Sequence, residues 1–307
     1  AVHVRAGKDN LEGTLQLNAP KGWVVSSPQL FTLERQGETS TLWFTVTPPK
    51  NQSQGYLRPL IQIGDTYYDK ELINIDYDHI PYQSVLLPSK AKVVRINIEK
   101  KGQHIGYIQG AGDGVGQSLE QIGYSVTNLD VTEISAQSLK KYDAVVVGVR
   151  AYNTIAALAF AQKELNKYVQ AGGTMVVQYN TSHRLVTKQV APYALSLSRD
   201  RVTDEFAKVT ILDPSHPVLN SPNKITQVDF KGWVQERGLY FPNKWAEEFT
   251  PILAMNDTGA PQTKGSLLVA RYGKGHYVYT GLSFFRELPA GVAGAYRLFA
   301  NIISIGK

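Results

Sequence analysis

A chain of 307 residues with 43% hydrophobic side chains and 26 glycines can bury proper cores, and its length suits two domains. It has no cysteine, which excludes disulfides, thiolate zinc sites and a cysteine nucleophile. The 32 Lys+Arg against 26 Asp+Glu leave a net charge of +6, arranged as pairs such as Lys100-Lys101 and Lys140-Lys141 instead of a stripe, so no nucleic-acid partner is expected.

The N-terminal Ala1-Val2-His3-Val4 has no signal-peptide core and no initiator Met, as expected of a processed piece. The first 88 residues read as short strands. Leu42, Phe44 and Val46 alternate with threonines and Trp43, and Ile73, Ile75 and Tyr77 alternate with Asn74, Asp76 and Asp78. Pro48-Pro49-Lys50-Asn51, Gly55 and Gly64-Asp65 supply turns between them. This predicts a multidomain chain whose residues 1–88 form an all-β, Ig-like sandwich.

From residue 89 strands alternate with helices. Val94, Ile96 and Ile98 are expected on one strand face, followed by an apolar strand from His104 to Gln109 and a Gly-rich turn at 110–116. A helix through Val115, Leu119 and Ile122 follows, then a strand over 124–129, a helix near Ile134 and Leu139, and a buried strand over 144–149. Ile155, Leu158, Leu165 and Val169 mark the next helix, which Gly172-Gly173 closes before a strand at 174–179. Short strands are expected near 209–212, 252–255, 266–271 and 277–281, and a last helix carries Val292, Ala295, Phe299 and Ile302. The order predicts an α/β domain over 89–307 with an open, mainly parallel sheet. The longest apolar run, residues 155–161, is far below the ~18 residues of a membrane span, so none is expected.

Glycines at 110, 112, 114 and 116 recur every second residue, which does not fit the dinucleotide fingerprint, and no cofactor is expected. Ligands of an open α/β sheet bind beyond the carboxyl ends of its strands. Asp113, Arg150, Tyr152, Asn153, Tyr179 and Asn180 fall there. Residues 228–249 then hold six aromatics, Trp233 among them, beside Gln235, Glu236 and Arg237. Arg201, Asp204 and Glu205 precede them, and Arg286-Glu287 precede the last helix. Flat rings beside forked polar groups suit sugars. The alternative is a buried polar network tying a long loop to the sheet. The six histidines show no ligand spacing, so no metal is expected.

The strings Asp229-Phe-Lys-Gly-Trp-Val-Gln-Glu-Arg-Gly-Leu-Tyr-Phe-Pro242, Gly148-Val-Arg-Ala-Tyr-Asn153, Arg201-Val-Thr-Asp-Glu205 and Ser283-Phe-Phe-Arg-Glu-Leu-Pro-Ala-Gly291 resemble the C-terminal part of large PIG-L (LmbE-like) proteins of Bacteroidetes. The resemblance implies an upstream zinc-dependent sugar de-N-acetylase, an Ig-like module, and a flavodoxin-like domain similar to class I glutamine amidotransferases and ThuA-like proteins. The deacetylase's His-Pro-Asp-Asp segment is absent here, and the turn where an amidotransferase carries its thiolate reads Tyr179-Asn180. The chain is therefore expected to be a non-catalytic accessory module, periplasmic or extracellular, that binds saccharide or packs on the upstream deacetylase domain. The alternative is an independent carbohydrate-active hydrolase using a carboxylate pair in the crevice.

Overall fold

The computed structural model describes all 307 residues, which form two compact units, Ala1–Asn97 and Ile98–Lys307. The first is all-β and its strands pair antiparallel. Leu11–Asn18 lies between Gln29–Leu33 and Ser53–Ile63, and the latter also takes Thr66–Tyr68 and Ala91–Arg95. Val2–Arg5 with Thr39–Leu42, Val24–Val25 with Val46–Thr47, and Lys70–Ile75 with Gln83–Pro88 make two-stranded ribbons. Val4, Leu11, Leu15, Phe31, Leu33 and Leu42 form the core.

Three sequence expectations change here. The Leu42–Val46 alternation is broken into two strands, Thr39–Leu42 and Val46–Thr47, with Trp43 exposed between them. The Ile73–Tyr77 alternation marks no core face, because Leu72 and Ile73 on opposite sides of that ribbon are both exposed. Residues 91–95 pair with Ser53–Ile63, so the first unit runs past residue 88 to Asn97, and Val94 belongs to its sheet and not to the α/β sheet.

The second unit has eleven strands: Thr210–Ile211 and Leu253–Ala254, which pair with each other as a short antiparallel ribbon near the expected positions, and nine longer or sheet-forming ones, β1 (His104–Ile108), β2 (Ser125–Asn128), β3 (Ala144–Val147), β4 (Thr174–Val177), β5 (Leu195–Val202), β6 (Gly238–Trp245), β7 (Phe249–Pro251), β8 (Leu267–Tyr272) and β9 (Gly275–Thr280). Of these nine, seven form one sheet in the order β2-β1-β3-β4-β9-β8-β7. The first five run parallel, and β8 and β7 add antiparallel at one edge. The parallel strands alone, numbered along the chain, give the flavodoxin-like order 2-1-3-4-5. β5 and β6 form a separate antiparallel ribbon.

Helices α1 (Val115–Gln121), α2 (Ala136–Leu139), α3 (Ala151–Thr154), α4 (Leu158–Gln170), α5 (Pro217–Asn220), α6 (Phe284–Glu287) and α7 (Ala293–Ser304) fill the connections. Every residue of β3 and β4 is buried, so both faces of the sheet are covered, and the uniform apolar runs follow from that. On one face Leu158, Leu165 and Val169 of α4 pack against Val145, Val147, Met175 and Val177.

The strand order reverses between β1 and β3, and there the backbones touch. A Cβ on Gly110 would sit 2.1 Å from the Val149 carbonyl oxygen, and one on Gly148 would sit 2.8 Å from the Gly110 nitrogen. The glycine-rich turn is thus a packing device. Gly110→Ala must push backbone against backbone, and a loss of about 3 kcal/mol is expected in urea unfolding of the second unit; a midpoint equal to wild type would contradict the close approach.

Candidate functional site

Four segments meet beyond the carboxyl ends of β3, β4 and β9: residues 148–153, 178–183, 281–287, and the stretch 226–240 leading into β6. The Arg150 N–H donates to the Tyr179 carbonyl at 2.8 Å, which joins the first two. The Leu239 N–H donates to the Gly281 carbonyl at 2.9 Å, and Gly238 bridges Leu282, which joins the last two. A Cβ on Gly238 would fall 2.3 Å from the Gly281 oxygen, so glycine is what lets these strands close.

Several of the polar residues expected at these ends are consumed in holding the loops. Asp113 accepts from the Tyr107 hydroxyl, from Val115 N–H at 3.0 Å and from Val149 N–H at 3.1 Å, which locks the β1–α1 turn onto the end of β3. Asn180 is fully buried, accepts from Tyr152 N–H at 2.9 Å and donates to the Gln178 carbonyl at 2.9 Å. Tyr152 is a core residue whose hydroxyl meets Gln162 Oε1 at 2.6 Å. Asn153 donates to the carbonyls of Thr181 and His183 and accepts from Thr181 N–H, pinning the loop after β4. Asp204 caps its own turn through Phe206 N–H, and half-buried Glu205 lies close enough to Arg237 to favour its charge.

The 226–240 stretch is anchored by buried polar groups. Arg237 is 5% exposed; its Nε and Nη2 donate to the Ala207 carbonyl at 3.0 and 2.9 Å, and its Nη1 donates to the Phe230 carbonyl at 2.5 Å. Its guanidinium lies 5.6 Å from the centre of the Trp233 ring. Trp233 is 3% exposed, donates from Nε1 to the Asp229 carbonyl at 3.0 Å, and packs between Phe230 and Phe284. It leaves no open face for a sugar, which corrects its expected role as a stacking platform. Asp229, in turn, pairs with Arg297 of α7 at 2.7 Å. Glu287 is fully buried and receives only the Val234 N–H, at 3.2 and 3.0 Å to its two oxygens. Burial pushes its carboxyl up to about 8, against the pull of that N–H and of Arg237 and Arg286.

What remains partly open is a platform of rings edged by guanidiniums, in which Tyr240 and Phe285 are half-buried and Tyr179, 8% exposed, is the buried member. Tyr179, at the end of β4, lies nearly parallel to Tyr240, with ring centres 6.0 Å apart and planes 9° apart, and 5.2 Å from Phe285. Arg201 stands over Tyr240 at 5.7 Å and Arg286 over Phe285 at 4.8 Å. Arg286 pairs with Glu236 at 2.8 Å and also donates to Gln235. Burial raises the Tyr179 phenol above its ordinary value, while Arg150 and Arg286 draw it down and Glu236 raises it. Three residues at this spot, Arg150, Gln235 and Tyr240, hold left-handed backbone at φ of 58°, 68° and 53°. Side chains other than glycine adopt that region at a cost, and such strain gathers at functional sites.

Of the expected site residues, Arg150, Tyr179, Arg201, Glu236 and Arg286 thus converge, and Asp113, Tyr152, Asn153, Asn180, Trp233, Arg237 and Glu287 support them from within. Gln235 is expected among the polar groups of the 228–249 stretch, Phe285 lies outside the sequence expectation, and Tyr240 is expected only as one of six aromatics. Four of those six, Phe230, Trp233, Phe241 and Phe249, are core. The signal that separates Tyr240 is its place beside Gly238, in a chain that must turn back on Gly281. No group of three or more His, Cys, Asp or Glu side chains is placed to hold a metal ion, and no helix is long and apolar enough to cross a membrane.

No family model and no curated protein matches the chain. Among solved structures it is similar to a Thermoplasma acidophilum protein described as part of a GMP synthase (11% identity, 67% of this chain and 96% of that one, TM-score 0.42). It is also similar to PurLQS of Thermotoga maritima (13% identity, 67% and 100%, TM-score 0.43) and to a ThuA-like protein of Bacteroides uniformis (14% identity, 65% and 88%, TM-score 0.39). The architecture assigned to the second unit rests on its own strand order and not on these likenesses.

Two outcomes test this partition into support and surface. Trp233→Ala removes a packed ring and is expected to cost about 3–5 kcal/mol in urea unfolding, where a surface platform would cost almost nothing. The folded state keeps the Glu287 proton up to about pH 8, whereas an unfolded glutamate releases it near 4.5. The folded state therefore binds more protons across that window, and stability falls as pH rises through it. Glu287→Gln should flatten this slope between pH 5 and pH 8.5, read as urea midpoints; an unchanged slope would assign it to other groups.

Proposed function

We propose that this chain is a non-catalytic, glycan-binding accessory module of an extracytoplasmic protein of the PIG-L (LmbE-like) kind, with an Ig-like first unit. The observation that carries the binding role is the Tyr179–Tyr240–Phe285 platform at the strand ends, edged by Arg150, Arg201, Glu236 and Arg286. Pyranose rings present apolar C–H faces that suit tyrosine and phenylalanine rings, and their hydroxyls take hydrogen bonds from forked side chains. The resemblance of the strings at 148–153, 201–205, 229–242 and 283–291 to that family supports the assignment of context.

The state of the carboxylates and of the β4 turn supports a role without chemistry. Asp113 and Asp204 are engaged by backbone amides, Glu236 is ion-paired and Glu287 is sealed in the core. A glycosidase needs two carboxyl groups facing one bond across roughly 5–9.5 Å. The turn after β4 offers a phenol and a buried amide, neither of which forms a thioester.

The test is a glycan array with the intact chain, including N-acetylated and de-N-acetylated glucosaminides and acidic oligosaccharides. Tyr240→Ala is expected to abolish retention of the bound glycan while shifting Tm by no more than a few degrees, because Tyr240 is only half-buried. Silence across the array would leave packing against a neighbouring domain as the role of this face.

A further inference from the structure

The charge around the platform is lopsided. Three guanidiniums, Arg150, Arg201 and Arg286, surround it, with one carboxylate, Glu236, among them. That carboxylate is spent on Arg286 at 2.8 Å. The ion pairs of the chain join Lys167 to Glu164, Arg286 to Glu236, Arg297 to Asp229 and Lys307 to Asp143, and neither Arg150 nor Arg201 takes part in them. Both are exposed.

An exposed arginine is ordinarily just a solvated side chain, but these two are placed. Arg150 occupies a left-handed backbone position, φ 58°, where asparagine or glycine would be cheaper, and its own N–H is tied to the Tyr179 carbonyl at 2.8 Å. Its side chain therefore starts from the rigid end of β3, beside the Tyr179 ring. Arg201 rises from β5 and lies 5.7 Å over Tyr240, which orders its guanidinium before any ligand arrives. Rings in the middle and two unpaired planar forks at the margin match a sugar with one apolar face and an in-plane anionic group, which arginine binds through two parallel hydrogen bonds.

We infer that the saccharide taken by this platform is anionic, with its carboxylate or sulfate held by Arg150 and Arg201. The inference rests on the glycan-binding reading and specifies its ligand class. A neutral sugar would leave both guanidiniums without a partner and would gain nothing from their placement. Free anions alone are expected to bind weakly, because the rings contribute only when a sugar face covers them.

Isothermal titration of the intact chain with trigalacturonate, a sulfated galactose tetrasaccharide and neutral galactotriose tests it. At 50 mM NaCl the acidic oligosaccharides should bind at least tenfold more tightly than the neutral one, and the preference should shrink at 500 mM. Arg150→Gln and Arg201→Gln should each weaken acidic binding about tenfold without moving Tm, and Arg201→Lys should recover only part of it. A stronger response to trigalacturonate than to the sulfated sugar assigns a carboxylate, and the reverse a sulfate. Equal affinity for neutral and acidic sugars, or unchanged binding in both glutamine variants, overturns the anionic assignment but leaves a glycan module standing if Tyr240→Ala still abolishes binding. Failure of every sugar to bind overturns both.

Discussion

A buried guanidinium must find acceptors for its donors, and Arg237 finds them in two backbone carbonyls, Ala207 and Phe230, that are far apart in sequence. That requirement fixes the course of residues 226–240 across the end of the sheet. Burial disfavours the Arg237 charge, and the nearby carboxylates of Asp204 and Glu205 oppose that effect. The arrangement is costly to break on one side only, since removing a partner strands a charge in the core. Trp233 under the guanidinium, Asp229 on Arg297 and Glu287 on Val234 complete the anchor. Gln235 stays exposed and Tyr240 half-exposed while Arg237 and Gly238 between them are held inward.

The same logic operates at the other strand ends. The reversal point between β1 and β3, where an open α/β sheet usually receives its ligand, is filled by Asp113 and by the contact of Gly110 with the β3 end. Asn153 and Asn180 spend their amides on the loop after β4. The partly open surface is therefore displaced toward β4 and β9, onto half-buried Phe285 and Tyr240 beside the buried Tyr179 ring. Strain follows the surface: Arg150, Gln235 and Tyr240 keep unfavourable backbone because the anchors beneath them leave no alternative.

Much of the fold was legible in the residues themselves. The uniform apolar run of β3 announced a strand buried in a sheet covered on both faces, and the threefold and fourfold spacing of α4 and α7 announced their helices, because burial alone sets those patterns. Alternation misled in the first unit, where Lys70–Ile75 forms a two-stranded ribbon exposed on both sides. A period of two reports a strand but not what covers it. Residues 91–95 misled for a related reason, since a strand's sheet is chosen by its partner, here Ser53–Ile63.

The sequence by itself determined the chemistry within reach: no thiolate, an aromatic-rich stretch before β6, and arginines and carboxylates near the strand ends. Which of these look outward was decided only in three dimensions. Trp233 and Tyr240 stand seven positions apart with similar neighbours, yet one ring is sealed under Arg237 and the other is only half-buried beside Tyr179. Local sequence carries no record of that choice, because it depends on carbonyls at Ala207 and Phe230 and on a glycine contact at Gly281, groups brought together only by the folded chain.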